Sequence, residues 1–266
     1  MSALDYLADG KRFIDAAITL FLPGKTVYPE SIHESMHYSL LAGGKRLRPI
    51  LVLAAAESVG GNRRVVLPFA VAIEFIHTYT LIHDDLPALD NDSFRRGRPT
   101  NHKIFGEAVA ILAGDALLTQ AFVIMSDASL MEGVPLESIL KASQDITQAI
   151  SSVGVIGGQV VDLESQSQSI NAEVLEYIHA YKTGSLFRAC VRCGAILSQA
   201  SSDQLEALSR YGSHIGLAFQ IVDDILDIVG EKKVLGKDVG SDLNNDKATY
   251  PALFGLEESR KKAEDL

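Results

Sequence analysis

Apolar residues recur along much of this chain at spacings of three and four, the signature of helices with a buried stripe. Residues 3–20 show it loosely, from Leu4 and Leu7 through Phe13 and Ala16 to Ile18–Leu20. Pro23, Gly24 and Pro29 break it, and Ser31 followed three places on by Glu34 predicts a capping box that opens a helix through Leu41. Gly43-Gly44 ends that helix; Pro49 can start the next, which runs to about Val59 and stops at Gly60-Gly61-Asn62. From Val65 to about Asp85 the chain is apolar with a helical period, and Pro87, which has no amide hydrogen to give, disrupts the helix. A loop with Gly97 and Pro99 follows. Helical patterns return at about 106–128, 136–155, 158–167, 171–199, 203–229 and 252–264, with Gly184 a weak point inside one of them. Alternating strand patterns are almost absent, so the chain reads as all-α with mostly buried helices.

Composition narrows the class. At 266 residues with 47% hydrophobic, the chain can bury a sizeable core, as one large domain or two small ones. Two cysteines do not suggest a disulfide framework, and the start, Met1-Ser2-Ala3-Leu4-Asp5, lacks the basic-then-apolar plan of a signal peptide, so the chain reads as cytoplasmic. No run reaches the roughly 18 apolar residues of a membrane span, because Asp115 interrupts 110–125 and Glu57 interrupts 50–59. A net charge of −10 argues against nucleic acid. The basic residues are nonetheless clustered, Lys45, Arg46 and Arg48 in one place and Arg95, Arg96 and Arg98 in another. An acidic protein with two tight basic clusters is suited to a small polyanion.

Two acidic clusters change the picture further. Asp84-Asp85 with Asp90, and Asp223-Asp224 with Asp227, each lie in or at the end of an apolar segment. Buried carboxylates lose hydration and repel one another, at several kcal/mol each, unless a positive charge sits between them. Helical spacing puts His77, Thr80 and Asp84 on one stripe and Gln220, Asp223, Asp224 and Asp227 on another. Asp90 is six places beyond Asp84, wrong for a straight helix, but a bend at Pro87 could return it. Hard oxygen ligands suit Mg²⁺, which binds through one or two carboxylates plus substrate phosphates, so acidic and basic clusters make sense together around a diphosphate.

In seven ordered motifs between Gly43 and Tyr250 the chain resembles the short-chain trans-isoprenyl diphosphate synthases, closest to the bacterial farnesyl diphosphate synthases. The motifs are Gly43-Gly44-Lys45-Arg46-Leu47-Arg48-Pro49, Asp84-Asp85-Leu86-Pro87-Ala88-Leu89-Asp90, Arg95-Arg96-Gly97-Arg98-Pro99-Thr100, Gly158-Gln159-Val160-Val161-Asp162-Leu163, Lys182-Thr183-Gly184, Gln220-Ile221-Val222-Asp223-Asp224-Ile225-Leu226-Asp227 and Gly236-Lys237-Asp238-Val239-Gly240. The resemblance implies the isoprenoid synthase fold, a single-domain helical bundle over residues 1–266 around a deep central cavity, and a homodimer. It implies Mg²⁺, three ions with substrate bound and Mn²⁺ as a substitute, between Asp84, Asp85 and Asp90 on one side and Asp223, Asp224 and Asp227 on the other. Gly44, Lys45, Arg48, His77 and Arg96 match positions holding isopentenyl diphosphate; Arg95, Lys182 and Lys237 match those holding an allylic diphosphate. Thr183 and Gln220 match positions whose oxygens face a carbocation. The implied reaction is ionisation of the allylic diphosphate, attack by isopentenyl diphosphate on the allylic cation and loss of a proton, with farnesyl diphosphate as product.

In that family the residues just before the first acidic motif floor the pocket, here Tyr79 and Thr80. Tyr79 lies about 7 Å down the helix from Asp84 but is rotated roughly 140° from it, whereas Thr80 shares its stripe. The resemblance points to Tyr79 as the floor and a fifteen-carbon product, with a twenty-carbon product the nearest rival. Gln159 and Asp162 match positions near the first metal site. Cys190 and Cys193 read as small core side chains, Asp115 as a structural carboxylate in need of a partner, and His83 has only its adjacency to Asp84. One departure stands out: members of the family continue into further helices, and this chain stops in the charged run before Leu266. Other classes fit less well. A non-catalytic subunit of a hetero-oligomeric synthase does not need both intact aspartate motifs, a di-iron bundle calls for Glu-x-x-His ligands, and a terpene cyclase has no use for a second diphosphate site.

Overall fold

The computed structural model describes residues 2–166, 168, 170–229 and 249–266. Its Cα positions group into two compact units, residues 1–143 with 193–200, and residues 144–192 with 201–266.

The first unit is built on α4 (Leu67–Asp84), against which α1 (Ala3–Ile18), α2 (Glu30–Leu40), α3 (Leu47–Ser58) and α6 (Glu107–Ser126) all pack. Pro68 through Ile76 are buried without interruption, as expected of a helix that is apolar on every side. Its neighbours supply Ile14, Ile18, Leu40, Ile50, Leu53 and Leu117 to the same core. The capping box that forms belongs to α1, where Ser2 and Asp5 exchange hydrogen bonds. The one expected at Ser31 and Glu34 does not form: α2 is capped two residues earlier, on extended Pro29, with no side-chain cap. Pro49 is the third residue of α3, where a missing amide hydrogen leaves no intrahelical bond unmade.

Residues 94–99, expected as loop, form a small hairpin of β1 (Phe94–Arg95) and β2 (Arg98–Pro99). Both turn residues, Arg96 and Gly97, have positive φ, the two-residue turn whose twist suits an antiparallel pair. Arg98 lies over the Tyr38 ring at 4.4 Å, and the Tyr38 hydroxyl donates to the Pro99 carbonyl at 2.7 Å, so α2 anchors this hairpin. A short α5 (Asn101–Phe105) then leads into α6. One face of α6, Ala110, Ala113, Gly114, Leu117, Ala121 and Ile124, is buried. The other is apolar yet exposed, with Leu112 at 57% and Val123 at 54%, so α6 departs from the expectation of mostly buried helices.

The chain continues through α7 (Leu136–Ile150) into the second unit, where α8 (Val155–Glu164) and α9 (Ala172–Ile178) pack beside a π-helical segment, His179–Gly184. That segment joins α9 to α10 (Ser185–Leu197), so the long helix expected over 171–199 is interrupted at the place Gly184 had marked as weak. It also packs on α11 (Ser202–Val229). Leu175, Ile221, Ile225 and Tyr250 form a core with Leu217 and Leu256 packed on it. Positive φ at Gly255 divides the expected final helix into α12 (Tyr250–Phe254) and α13 (Leu256–Asp265).

Candidate functional site

In the first unit the predicted residues converge at one end of α4. The chain leaves α4 at Asp84 and doubles back at Pro87, so that the Asp90 amide donates to the Asp84 carbonyl at 2.9 Å. The bend thus returns the backbone of Asp90 to the end of α4. Arg95, on the hairpin, brings Nε within 2.6 Å of Asp85 Oδ1 and its NH2 within 3.1 Å of Asp92. Burial pushes the Asp85 carboxyl up to about 7, Arg95 opposes this, and Asp84 and Asp92 add to it. Arg96 donates to the Gly43 carbonyl, and a Cβ on Gly44 would sit 2.7 Å from the Arg96 guanidinium carbon, so this glycine is needed for close approach.

Across the same site Arg48 NH1 lies 3.5 Å from His77 Nε2. Burial, then Arg48, Arg96 and Arg95, hold His77 well below its ordinary value, which keeps it neutral. Arg96 is also lowered, by burial first, against an opposing pull from Glu74, with repulsion from Arg46, Arg95 and Arg48 adding to the lowering. Lys45 is exposed beside them. The cluster thus concentrates positive charge around a neutral ring, an arrangement suited to a polyanion.

A neutral His77 sets an expectation. Its folded-state value is below the unfolded one of about 6.5, so the stability it carries is complete above that pH. That contribution fades as pH falls toward the depressed folded value. Ring NMR of the ligand-free protein should show no His77 inflection between about pH 8 and 6.5. Inorganic diphosphate, by neutralising the arginines, should bring one into view. An ordinary inflection without the anion would mean that the arginines do not crowd the ring.

Tyr79 is 6% exposed and Thr80 half-buried, its hydroxyl donating to the His77 carbonyl at 2.8 Å. Among the described residues the Tyr79 hydroxyl has no hydrogen-bond partner, and burial, with a smaller contribution from Asp84, pushes it up to about 12. Its ring meets His83 edge-on at 5.7 Å, and His83 Nε2 lies 3.0 Å from the Ile111 carbonyl and 4.0 Å from Asp115. Gly114 makes this possible, since a Cβ there would overlap the His83 ring. So His83, unassigned from sequence, holds α4 to α6, with Asp115, read from sequence as structural, 4.0 Å from its ring.

In the second unit α11 carries the other acidic cluster. Asp224 is occupied by the protein itself: Gln220 Nε2 donates to Oδ1 at 2.9 Å, the Tyr250 amide to Oδ2 at 2.8 Å, and His179 Nε2 stands 3.3 Å from Oδ2. Thr183 in turn donates to Gln220 Oε1 at 2.8 Å, which fixes the amide at both ends. Asp227 differs. It is 1% exposed, and among the described residues neither carboxylate oxygen has a hydrogen-bond partner. Lys182, from the π-helical segment, pairs with Asp162 of α8 at 2.6 Å, so Asp162 holds a lysine. Gly158 lies so close to the Lys182 backbone that a Cβ would overlap its amide nitrogen. His179 and Tyr250, which anchor Asp224, carried no motif signal; only their meeting in space shows their part. Cys190 and Cys193 are fully buried, as expected of core side chains. Lys237 lies outside the described residues.

Among the described residues no three His, Cys, Asp or Glu side chains stand close enough to hold an ion unaided. Mg²⁺ takes few protein ligands and completes its shell from water and substrate phosphate. The Asp227 carboxylate, without a hydrogen-bond partner among the described residues, fits such an ion.

The Polyprenyl synthetase family model matches residues 29–266. The chain is 47% identical over 266 residues to a heterodimeric geranylgeranyl pyrophosphate synthase large subunit 1 of Arabidopsis thaliana, covering 99% of this chain and 71% of that one. It is 46% identical over 257 residues to a farnesyl diphosphate synthase of Bacillus subtilis, covering 97% and 86%. Among solved structures it superposes, with a TM-score of 0.86 and 28% identity, on a geranyltransferase of Helicobacter pylori complexed with magnesium and isoprenyl diphosphate, covering 100% of this chain and 88% of that one.

Proposed function

The chain belongs to the polyprenyl synthetase family and is a trans-prenyltransferase, and from that premise we propose that it condenses isopentenyl diphosphate with dimethylallyl and then geranyl diphosphate to give farnesyl diphosphate and diphosphate. The observation that carries this is the gathering of Arg48, Arg95 and Arg96 around a neutral His77, beside the first acidic motif.

In this reading Lys45, Arg48, His77 and Arg96 hold isopentenyl diphosphate, Gly44 giving the close approach, while Arg95, Lys182 and Lys237 hold the allylic diphosphate. Asp84, Asp85 and Asp90 with Asp223, Asp224 and Asp227 would hold Mg²⁺, in three ions with substrate bound, with Mn²⁺ able to replace it; as a Lewis acid the metal stabilises charge on the departing diphosphate. The cationic side chains stabilise the same charge without reorganising, because ion pairs such as Lys182 with Asp162 already hold them in place. Thr183 and Gln220, locked in one hydrogen-bonded chain to Asp224, present fixed oxygens to the allylic cation. The proton lost after attack goes to the released diphosphate.

Residues 1–266 act as one polyprenyl synthase domain in this reading, located in the cytoplasm. A homodimer is supported by the exposed apolar face of α6, which needs a partner's cover. The heterodimeric relative gives an unlike subunit as the other occupant.

Product length decides between farnesyl and geranylgeranyl diphosphate. Purified chain with Mg²⁺, isopentenyl diphosphate and a five-, ten- or fifteen-carbon primer should accumulate fifteen-carbon product and leave the fifteen-carbon primer unextended. Tyr79→Ala should extend it to twenty carbons or more. Tyr79→Phe should not, and since the hydroxyl it removes is buried without a partner, it should gain up to about 1 kcal/mol of stability. Twenty-carbon product from the wild type would make the chain a geranylgeranyl diphosphate synthase and remove Tyr79 as the floor.

A further inference from the structure

Lys45, Arg46 and Arg48 form one basic cluster in the sequence, but the fold gives Arg46 a different role from the other two. Its side chain is 2% exposed, and each of its three guanidinium nitrogens donates within the protein. Nε donates to Asp15 of α1 at 2.8 Å, NH1 to Glu74 of α4 at 2.6 Å, and NH2 to the Leu40 carbonyl at the end of α2 at 2.8 Å. Glu74 is itself 1% exposed. Buried and held at all three nitrogens, this side chain is not presented to a ligand.

The backbone of Arg46 is as constrained as its side chain. Its φ of 53° and ψ of 32° put a non-glycine residue in the left-handed region, directly after Gly43 and Gly44 at 91° and 124° and exposed Lys45. Such a conformation persists where the surroundings over-determine it. Arg46 also caps α3, its carbonyl accepting from Ile50 at 3.1 Å, and so sets where Arg48 leaves the helix start. The same turn presents the Gly43 carbonyl that holds Arg96. On α4, Glu74 and His77 share a face one turn apart, so one residue anchors Arg46 while the next turn faces Arg48. A buried ion triad is a poor source of stability, because desolvation cancels much of the attraction. Its value here is in fixing one geometry.

Resting on the reading above, we propose that Arg46, clamped by Asp15, Glu74 and the Leu40 carbonyl, is the positioning residue of the isopentenyl diphosphate site. It sets Lys45, Arg48 and, through Gly43, Arg96, without touching the substrate.

The test compares steady-state kinetics of wild type, Glu74→Gln and the double variant Arg46→Met/Glu74→Leu. The double variant leaves no buried charge unpaired at these positions, and Asp15 keeps Lys11, so it should fold. Its KM for isopentenyl diphosphate should rise at least about tenfold, while the allylic KM stays within about twofold and kcat within about threefold. Glu74→Gln keeps an oxygen for Arg46 NH1 and should raise the isopentenyl diphosphate KM alone, by about threefold. A folded double variant with that KM unchanged, or with both KM values raised equally, overturns the positioning role. So does a double variant that fails to fold while Glu74→Gln leaves the isopentenyl diphosphate KM unchanged; a selective rise in Glu74→Gln supports the role whether or not the double variant folds. A wild type that condenses neither substrate defeats the proposed reaction itself and this role with it, an outcome distinct from an active wild type with indifferent variants.

Discussion

Asp227→Asn should lower turnover by at least about a hundredfold while leaving the metal-free protein as stable as the wild type or more so. The two halves have one cause. Both Asp227 oxygens are buried and, among the described residues, meet no donor. A carboxylate buried there loses hydration with no donor among the described residues to replace it, at a cost of about 1–3 kcal/mol or more, which a bound cation would offset. A neutral amide of the same shape is easier to bury, so the melting temperature without metal should hold or rise by a few degrees, at roughly 2–4 °C per kcal/mol for a chain of this size. With Mg²⁺ and a diphosphate present, the wild type should gain stability that the variant does not. A variant less stable than wild type without metal, or one with near wild-type turnover, would sink the assignment. Asp224→Asn makes the contrast: Gln220 and the Tyr250 amide already donate to Asp224, so its loss should destabilise the apo protein.

Gly158→Ala carries the second large effect. A Cβ there would overlap the Lys182 amide nitrogen and lie 2.7 Å from its Cα, and because the obstacle is backbone, no side-chain rotation relieves it. Either α8 or the π-helical segment must shift. The expected cost is about 3 kcal/mol, at the upper end for overpacking. The melting temperature should drop by roughly 6–12 °C. Activity should fall further than stability predicts, because the shift moves Lys182 and Thr183 together, and about 1 Å of misplacement can cost a hundredfold. The allylic diphosphate KM and kcat should suffer while the isopentenyl diphosphate KM is nearly unchanged. Gly24→Ala, whose added carbon would meet nothing nearer than Val27 at 3.9 Å, is the control and should change little. Wild-type kinetics in Gly158→Ala would show that the close approach of these two elements is not needed.

The helix order, the all-α class and the approximate ends of most helices were legible in the sequence, because burying one stripe of a helix imposes a local period that survives in one dimension. Both acidic clusters and both basic clusters were legible for a related reason: charges are costly beside apolar runs and stand out against them. The tertiary structure decided what each of these charges does. Lys45 and Arg46 are neighbours in the chain, yet one is exposed and the other is consumed by Asp15, Glu74 and Leu40. Asp224 and Asp227 share one stripe, yet the first is satisfied by Gln220 and Tyr250 and the second is left without a donor among the described residues. Short features escaped as well. The hairpin at 94–99 and the π-helical segment at 179–184 are too brief to show a period, and they exist because the contacts of Arg98 with Tyr38 and of Gly158 with Lys182 select them. The sequence by itself therefore determined which elements form and where charge is concentrated, since both depend on neighbours along the chain. Which carboxylate receives donors from the fold depends on residues far away in sequence, and only their meeting in space could decide it.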